Sequence, residues 1–433
     1  MQKHFPDGDR PNYGSRRSFL KNTLGLGLTL SASLGSAANA RPKSTAKRPK
    51  MLSWKTHLVA KIPSGYQVAV ADISGDGNLD ILALSSVESR VEWYENPSWK
   101  PRAITSATRK NISLAPLFQA GYPARGLALA SDFALEDSTH GGTLWWAQPG
   151  PSLEAEWALR WIGQIPTSHR LRWADLDADG RLELLDAPLL GYGAKEPDYQ
   201  VGTPLTWLEV PEELLRGHLS AGEQEPSAWM PHLIDDSLTV IHGIHVLDWD
   251  GDGRDEILTA SFEGVHLFRS TGHGKDLRWI KTPLGSGDQH SKPRRGASEI
   301  ATGMVGHRRF LATIEPWHGE EVVVYLESRK RGTGVLWERH VIDDSFRDGH
   351  ALAVADLNGD GNHEIVAGYR GPRTSLYVYY ATDLSGMNWQ RQSLDTEMAA
   401  SGVLVADVNG DGRVDVVAIG ASTGNVKWYE NLG

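Results

Sequence analysis

Short apolar runs alternate with polar turns along most of this chain. Runs such as ALAVA (351–355), IVAG (365–368) and GVLVA (402–406) are bounded by Gly, Asp and Asn clusters. β-Branched and small apolar residues in such runs are typical of short strands, whereas a helix would place apolar residues every three or four positions. The pattern predicts an all-β protein.

The runs recur together with an acidic loop. Five loops align on their first Asp: DISGDGNLD (72–80), DLDADGRLE (175–183), DWDGDGRDE (248–256), DLNGDGNHE (356–364) and DVNGDGRVD (407–415). Two further copies lack the loop but keep its flanks, with Asp132 and Met304 at the aligned position. Self-similarity at such spacing indicates a repeat architecture with seven units.

Each unit also carries two later strands, the third aromatic and the fourth usually beginning near a tryptophan. This recurring position accounts for 16 Trp against 8 Phe. Four short antiparallel strands repeated seven times predict a seven-bladed β-propeller over residues 51–433. The first strand-like segment, WKTHLVAKI from Trp54, is of the fourth type, and the last, VKWYENLG, is of the third type. We therefore expect the N-terminal strand to close the last blade.

The N-terminal segment has the composition of an export signal. SRRSFLK (15–21) precedes an apolar run and the small residues Ala38-Asn39-Ala40. This order predicts a twin-arginine signal peptide over residues 1–40, a linker over 41–50, and a periplasmic or secreted location. Later segments lack the apolar length of a membrane span.

Charge and cysteine content exclude several classes of protein. The formal charge is −10, which argues against a nucleic-acid-binding protein, and the absence of Cys excludes disulfides. We expect a sugar or glycan partner, and the sequence leaves the oligomeric state open.

The acidic loops predict calcium sites. In each loop, oxygen ligands at positions 1, 3, 5 and 9 and a carbonyl at position 7 can surround a hard cation, and Gly at position 6 permits the sharp turn. The candidate ligands are Asp72, Ser74, Asp76 and Asp80; Asp175, Asp177, Asp179 and Glu183; Asp248, Asp250, Asp252 and Glu256; Asp356, Asn358, Asp360 and Glu364; and Asp407, Asn409, Asp411 and Asp415. We interpret these ions as structural staples, with calcium sensing or adhesion as the alternative.

The opposite face of the propeller is the candidate functional site. Six residues before the aligned positions lie Tyr66, Gly126, His169, His242, Ser298, His350 and Ser401, which we expect to ring one mouth of the channel. The ends of the second strands add Tyr192, Glu315, Trp317, His318, Tyr369 and Arg370, while Arg170 and Arg295 lie near the same end. A concave site of this composition suits a small anionic or polyhydroxylated ligand.

The histidines allow more than one interpretation. His57, His232 and His340 repeat in fourth strands, which predicts packing roles. The mouth histidines could likewise hydrogen-bond neighbouring blades, serve as general bases, or hold zinc or another transition metal on His169, His242 and His350.

Specific phrases resemble a known family. The loops resemble FG-GAP or VCBS repeats, and SHRLRWADLDADGRLELLDAPLLG (168–191), GASEIATG (296–303), TIEPWHG (313–319) and GHALAVADLNGDGNHEIVAGYRGP (349–372) resemble the propeller domain of aldos-2-ulose dehydratases and their bacterial relatives. The resemblance implies dehydration of a ketosugar such as 1,5-anhydrofructose. Similar propellers among polysaccharide lyases perform the same elimination on uronates. The fungal enzyme also carries cupin-like domains for a later isomerisation, so from this chain we expect at most the elimination step.

The functional hypothesis is therefore a carbon–oxygen lyase acting by β-elimination. A histidine would be the base, Arg370 or a metal would stabilise the enolate, Tyr369 or His318 would protonate the leaving group, and Trp317 would support a sugar face. The alternative is a non-catalytic, calcium-stapled propeller that binds a glycan or a protein partner. A surface adhesin is a third possibility.

Overall fold

The computed structural model describes residues 49–118, 125–150, 152–215, 229–330 and 334–433. The predicted signal peptide lies outside these residues, and of the predicted linker only residues 49 and 50 are described. The described part of the chain contains no helix long and apolar enough to cross a bilayer.

The described residues form seven four-stranded antiparallel sheets, which confirms the predicted propeller. From the innermost strand outwards, blade 1 contains β2 (Gly65–Ala71), β3 (Asp80–Ser85), β4 (Val91–Glu95) and β5 (Lys100–Thr105). Blade 2 contains β6 (Ser113–Leu117), β7 (Gly126–Ser131), β8 (Thr143–Gln148) and β9 (Ala158–Gln164). Blade 3 contains β10 (Ser168–Ala174), β11 (Glu183–Pro188), β12 (Leu205–Glu209) and β13 (Met230–Asp235), with a helical turn α1 (Glu212–Leu215) before β13. Blade 4 contains β14 (Gly243–Leu247), β15 (Glu256–Ser261), β16 (Gly264–Thr271) and β17 (Arg278–Gly285), and a 3-10 turn (Gly274–Asp276) precedes β17.

The remaining blades follow the same order. Blade 5 contains β18 (Glu299–Val305), β19 (Arg308–Glu315), β20 (Glu321–Lys330) and β21 (Gly334–Asp343). Blade 6 contains β22 (Gly349–Ala355), β23 (Glu364–Tyr369), β24 (Ser375–Ala381) and β25 (Trp389–Asp395). Blade 7 contains β26 (Ala400–Ala406), β27 (Asp415–Gly420) and β28 (Asn425–Asn431), and its outer strand is β1 (Trp54–Lys61), as predicted.

The apolar core lies between neighbouring blades. Second strands such as β3, β15 and β27 are buried along their whole length because blades cover both of their faces. Third-strand tryptophans, including Trp93 and Trp146, fill the space between sheets. Of the outer histidines, His57 stacks on Trp428 with ring centroids 4.2 Å apart, and His232 stacks on Trp207 at 4.1 Å. Both therefore pack as predicted.

Blade 2 corrects the sequence alignment. Gly126 begins β7, the second strand, and does not belong to the innermost ring. The innermost strand is β6, which the sequence pattern missed because Pro116 interrupts the run and the loop motif is absent. The alignment at Asp132 therefore took the second strand of blade 2 for its first strand.

Candidate functional site

Four histidines and a tyrosine converge at one end of the central channel. Tyr66 and His169 lie near the starts of β2 and β10, His242 directly precedes β14, His350 is on β22, and His318 follows β19. The His242 ring centroid lies 4.7–4.9 Å from those of His169, His318 and His350. Strands at neighbouring positions of one ring thus bring together residues that are far apart in the chain.

Hydrogen bonds define the tautomers of the histidines. Arg170 Nη1 lies 3.0 Å from His169 Nε2, and because a guanidinium only donates, this nitrogen carries the lone pair. The Tyr66 hydroxyl therefore also donates to His169 Nε2, at 2.7 Å. The Nδ1 atoms of His242 and His350 donate to the carbonyls of Ser298 and Ser401, at 2.8 and 2.7 Å, so that both Nε2 atoms carry lone pairs.

His318 connects this group to Arg370. Arg370 Nη2 donates to His318 Nδ1 at 3.3 Å, so His318 Nε2 donates to His242 Nε2 at 2.9 Å. His318 has a φ of 51°, in the left-handed region that disfavours non-glycine residues. Backbone strain of this kind is common where a side chain must be held in a functional position.

Two carboxylates balance the cationic groups. Glu299 Oε1 accepts from Arg170 Nη2 at 2.9 Å and lies 3.1 Å from His242 Nδ1. Asp348 pairs with Arg370 at 3.0 and 3.1 Å. Burial alone would raise the pKa of Glu299, but Arg170 and His242 outweigh this effect and lower it. Glu299 is therefore an ionised partner at neutral pH.

The histidines are neutral at neutral pH. Burial lowers the pKa of His169, His318 and His350 well below the usual value, and nearby cations, including Arg170 for His169 and Arg370 for His350, lower it further. Burial also lowers the pKa of His242, although Glu299 opposes the shift. Neutral imidazoles are the form that accepts a proton or ligates a metal.

The histidines that could share a metal differ from the predicted trio. Ligand atoms of His242, His318 and His350 lie within 4.8 Å of one another. His169 is outside this group, and its Nε2 accepts hydrogen bonds from Tyr66 and Arg170. His242 and His350 orient Nε2 inwards through Nδ1–carbonyl hydrogen bonds, as metal-ligating histidines do. These three residues fit a divalent transition metal, for which His318 would adopt the neutral tautomer with its proton on Nδ1, 3.5 Å from Asp348 Oδ1.

Two other predicted site residues lie beside the cluster. Trp317 packs against His318 at 4.9 Å between centroids, but it is only 5% exposed and offers no open platform. Arg295 lies over Phe262 and 4.0 Å from Glu263, at the edge of the group.

Three predicted residues point elsewhere. Alternate side chains of a strand face opposite sides. Thus Arg370 reaches His318, while Tyr369 packs on Phe346 and donates to the Arg373 carbonyl at 2.5 Å. Glu315 is buried within blade 5, where it accepts from Thr313, Tyr325 and Arg339. Tyr192 is 70% exposed on a turn after β11. The expectation that these residues line the mouth was wrong.

A cavity of about 380 Å³ adjoins the cluster inside the channel. It begins at Tyr66, Arg170, Glu299 and His350 and runs along the innermost strands towards Val405 and the acidic loops. His169, His242 and His350 are at most 2% exposed, and of these three histidines His350 lines the cavity, together with Tyr66 and Arg170. The site therefore opens into the channel, on the side of the cluster that faces the loops.

The sequence pattern did not single out Glu299 or Asp348. Ser298 and His169 occupy equivalent positions in their blades, and Glu299 and Arg170 are the residues that follow them. This equivalence could have identified Glu299 as a candidate, because Arg170 was already one. Asp348 lies in the turn before β22 and carried no comparable signal, since only the fold places it beside Arg370.

The acidic loops are closed by their own hydrogen bonds. The ninth-position acid accepts the backbone N–H of position 2, as Glu256 does from Trp249 at 2.7 Å and Glu364 from Leu357 at 2.8 Å. Gly361, at position 6, has a φ of 85°. Three carboxylates converge at Asp175, Asp177 and Asp179, and likewise at Asp248, Asp250 and Glu256. Both groups fit a hard cation, and the other three loops have Ser or Asn at position 3.

The fold and site define a class: a seven-bladed propeller with a histidine-rich site at one end of its channel. Residues 356–418 match the FG-GAP-like repeat family. Residues 141–328 match the family described as aldos-2-ulose dehydratase, beta-propeller domain. The matched segment carries His169, Arg170, His242, Glu299 and His318, and the predicted resemblance is confirmed.

A curated relative supports the same assignment. The chain is 23% identical over 308 residues to aldos-2-ulose dehydratase of Phanerodontia chrysosporium. The alignment covers 65% of this chain and 32% of the relative, so the match spans about a third of that protein's length.

Proposed function

We propose that this protein is a carbohydrate dehydratase or lyase that performs β-elimination on a ketosugar or a related sugar derivative. The observation that carries the proposal is the triad Tyr66–His169–Arg170, in which Tyr66 and Arg170 line the channel cavity and Tyr66 Oη lies 2.7 Å from His169 Nε2 and 3.4 Å from Arg170 Nη1. The name of the curated relative, a sugar dehydratase, supports the same chemistry.

The triad supplies the proton transfers of an elimination. Tyr66 takes the proton from the carbon beside the substrate carbonyl while its own proton passes to His169 Nε2. Arg170 stabilises the negative oxygen of the enolate. The carbon–oxygen bond at the β-carbon then breaks, a carbon–carbon double bond forms, and the proton returns through Tyr66 to the leaving hydroxide, which departs as water. Tyr66 replaces Tyr369 in this role because only Tyr66 reaches the cavity.

A divalent metal on His242, His318 and His350 is a further part of the proposal. When bound, it would supply Lewis-acid polarisation of a substrate oxygen. Arg370 and Asp348 would then hold His318 in place from outside the ligand group.

Tyr66→Phe and His169→Gln test the triad. Each removes one proton carrier, so we expect turnover of a ketosugar substrate to fall about 10²- to 10⁴-fold. Ultraviolet absorbance of the conjugated product measures the rate. His57→Gln is the control because His57 packs on Trp428 in blade 7, outside the site. Near-wild-type turnover in both triad variants would exclude the proposed roles.

The non-catalytic alternative makes a different prediction. A propeller that only binds a glycan would retain the sugar without forming the conjugated product. Sugar binding by calorimetry in the absence of any absorbance change, over a panel of ketosugars and uronates, would favour it.

A further inference from the structure

The channel cavity contains a guanidinium without a carboxylate partner. Arg172 lies on β10, two residues after Arg170, and both side chains line the cavity. The hydrogen bond given by Arg172 goes to the Leu171 carbonyl at 2.8 Å. Within the described ranges, no Asp or Glu oxygen lies within 4.0 Å of it, whereas Arg170 is paired with Glu299. Most of its donors therefore face the cavity.

The environment of Arg172 makes this charge costly. Burial, together with Arg170, lowers the pKa of Arg172 to about 10, although the more distant charge of Glu299 opposes the shift. His245, at the corresponding position of β14, is neutral at pH 7, since burial and the charge of Arg172 lower its pKa to about 4. A buried charge without a partner destabilises the fold unless a ligand compensates for it.

The cavity has a net positive charge. Among the described lining residues, the charged side chains are Arg170, Arg172 and Glu299, which sum to one positive charge. The other residues at this depth are mostly small or apolar, including Ala69, Ala115 and Leu404. A single anionic group beside Arg172 would neutralise the cavity.

We infer that Arg172 binds the carboxylate of an acidic ketosugar, a sugar that carries both a keto group and a carboxylate and whose reacting carbon lies at Tyr66. This inference rests on the proposed elimination and names its substrate class. Alternate residues of a strand are roughly 7 Å apart, so Arg170 and Arg172 can contact the reacting carbonyl and the carboxylate of one sugar ring. The guanidinium fork pairs with a carboxylate through two parallel hydrogen bonds.

Binding of three probes tests the inference without requiring turnover. Calorimetry would compare D-glucuronate, D-glucose and inorganic phosphate on the full chain. We expect glucuronate to bind at least about tenfold more tightly than glucose, as a charge-assisted hydrogen bond allows. Arg172→Met should abolish that preference, and Arg109→Met, at an exposed position, should preserve it.

Thermal unfolding of the ligand-free variant separates a binding role from a structural one. Removal of an uncompensated charge should leave the melting temperature of Arg172→Met equal to or above that of the wild type. A lower melting temperature with the glucuronate preference intact would show that Arg172 is structural and would overturn the inference.

Three further outcomes are decisive. Phosphate binding as tight as glucuronate binding, with the same dependence on Arg172, would indicate an anion site separate from substrate recognition and would overturn the inference. Arg172-dependent glucuronate binding with no elimination of any ketosugar or uronate would support the carboxylate site and refute the proposed function, whereas elimination of a neutral ketosugar together with no preference for glucuronate over glucose would do the reverse.

Discussion

Some buried polar residues have hydrogen-bonding atoms without a partner, which lowers the stability of the fold. Asp186, on β11, is fully buried; one oxygen accepts from the Ser168 hydroxyl at 2.6 Å, and the other has no hydrogen-bond partner. Thr206, its cross-strand partner on β12, also has an unpaired hydroxyl. Burial raises the pKa of Asp186 to about 7, so the folded protein retains a proton that the unfolded chain releases near pH 4.

Asp186→Asn should stabilise the protein at alkaline pH. Between about pH 4 and 7 the folded state binds the extra proton, so this residue makes stability fall as pH rises. An amide does not ionise and can donate to Thr206. We expect the variant to gain roughly 3–4 kcal/mol over the wild type at pH 8 but only about 1–2 kcal/mol at pH 5.

Urea unfolding at both pH values measures the difference. Asp236→Asn, at an exposed position, is the matched control and should leave the pH dependence unchanged. Equal stabilisation by Asp186→Asn at pH 5 and pH 8 would contradict the explanation by ionisation.

At the scale of elements, the acidic loop is the recurrent unit. Its backbone is already folded by hydrogen bonds to the first and ninth acids, yet carboxylates remain crowded in the loops at 175 and 248. We propose that calcium neutralises this repulsion and staples the first two strands of the blade together.

Calcium should therefore raise the stability of the native state. Each site that binds only the folded chain adds about 2.7 kcal/mol when free calcium is 100-fold above Kd. Thermal unfolding with excess calcium and with chelator should give clearly separated transitions. Asp250→Asn should reduce the separation, and Asp383→Asn, an acid in a turn outside these loops, should not. Identical transitions with calcium and with chelator would refute the staple.

At the scale of the whole molecule, closure of the ring depends on the N-terminal strand. β1 pairs with β28 from Trp54↔Asn431 to Lys61↔Asn425. Val59 is buried in the core between blades 7 and 1, while its neighbour Leu58 is 54% exposed. The strand is therefore held by one apolar face as well as by its backbone.

Val59→Asp should open the ring, because it places an unpaired charge between two blades. We expect a loss of at least about 3 kcal/mol of unfolding free energy. Leu58→Asp, one residue away on the exposed face, should change it by less than about 0.5 kcal/mol. Urea unfolding of both variants measures the contrast, and similar losses would show that the register of β1 differs from the one described.

The architecture followed from local patterns, because a strand, its turn and its repeat are encoded by neighbouring residues. The alternation of apolar runs with the DxDxDG loops sufficed for seven blades and their closure. The prediction was wrong where the local pattern was degraded, as at β6 with Pro116.

The sequence by itself thus determined the repeat, the loops and the ring of histidines at the ends of innermost strands. Only the tertiary structure decided that His318 joins His242 and His350, that Tyr66 rather than Tyr369 faces the cavity, and that Arg172 has no carboxylate partner among the residues described. These facts depend on which side chains of different blades meet across the channel. The local sequence does not encode such contacts, because the residues that make them are far apart in the chain.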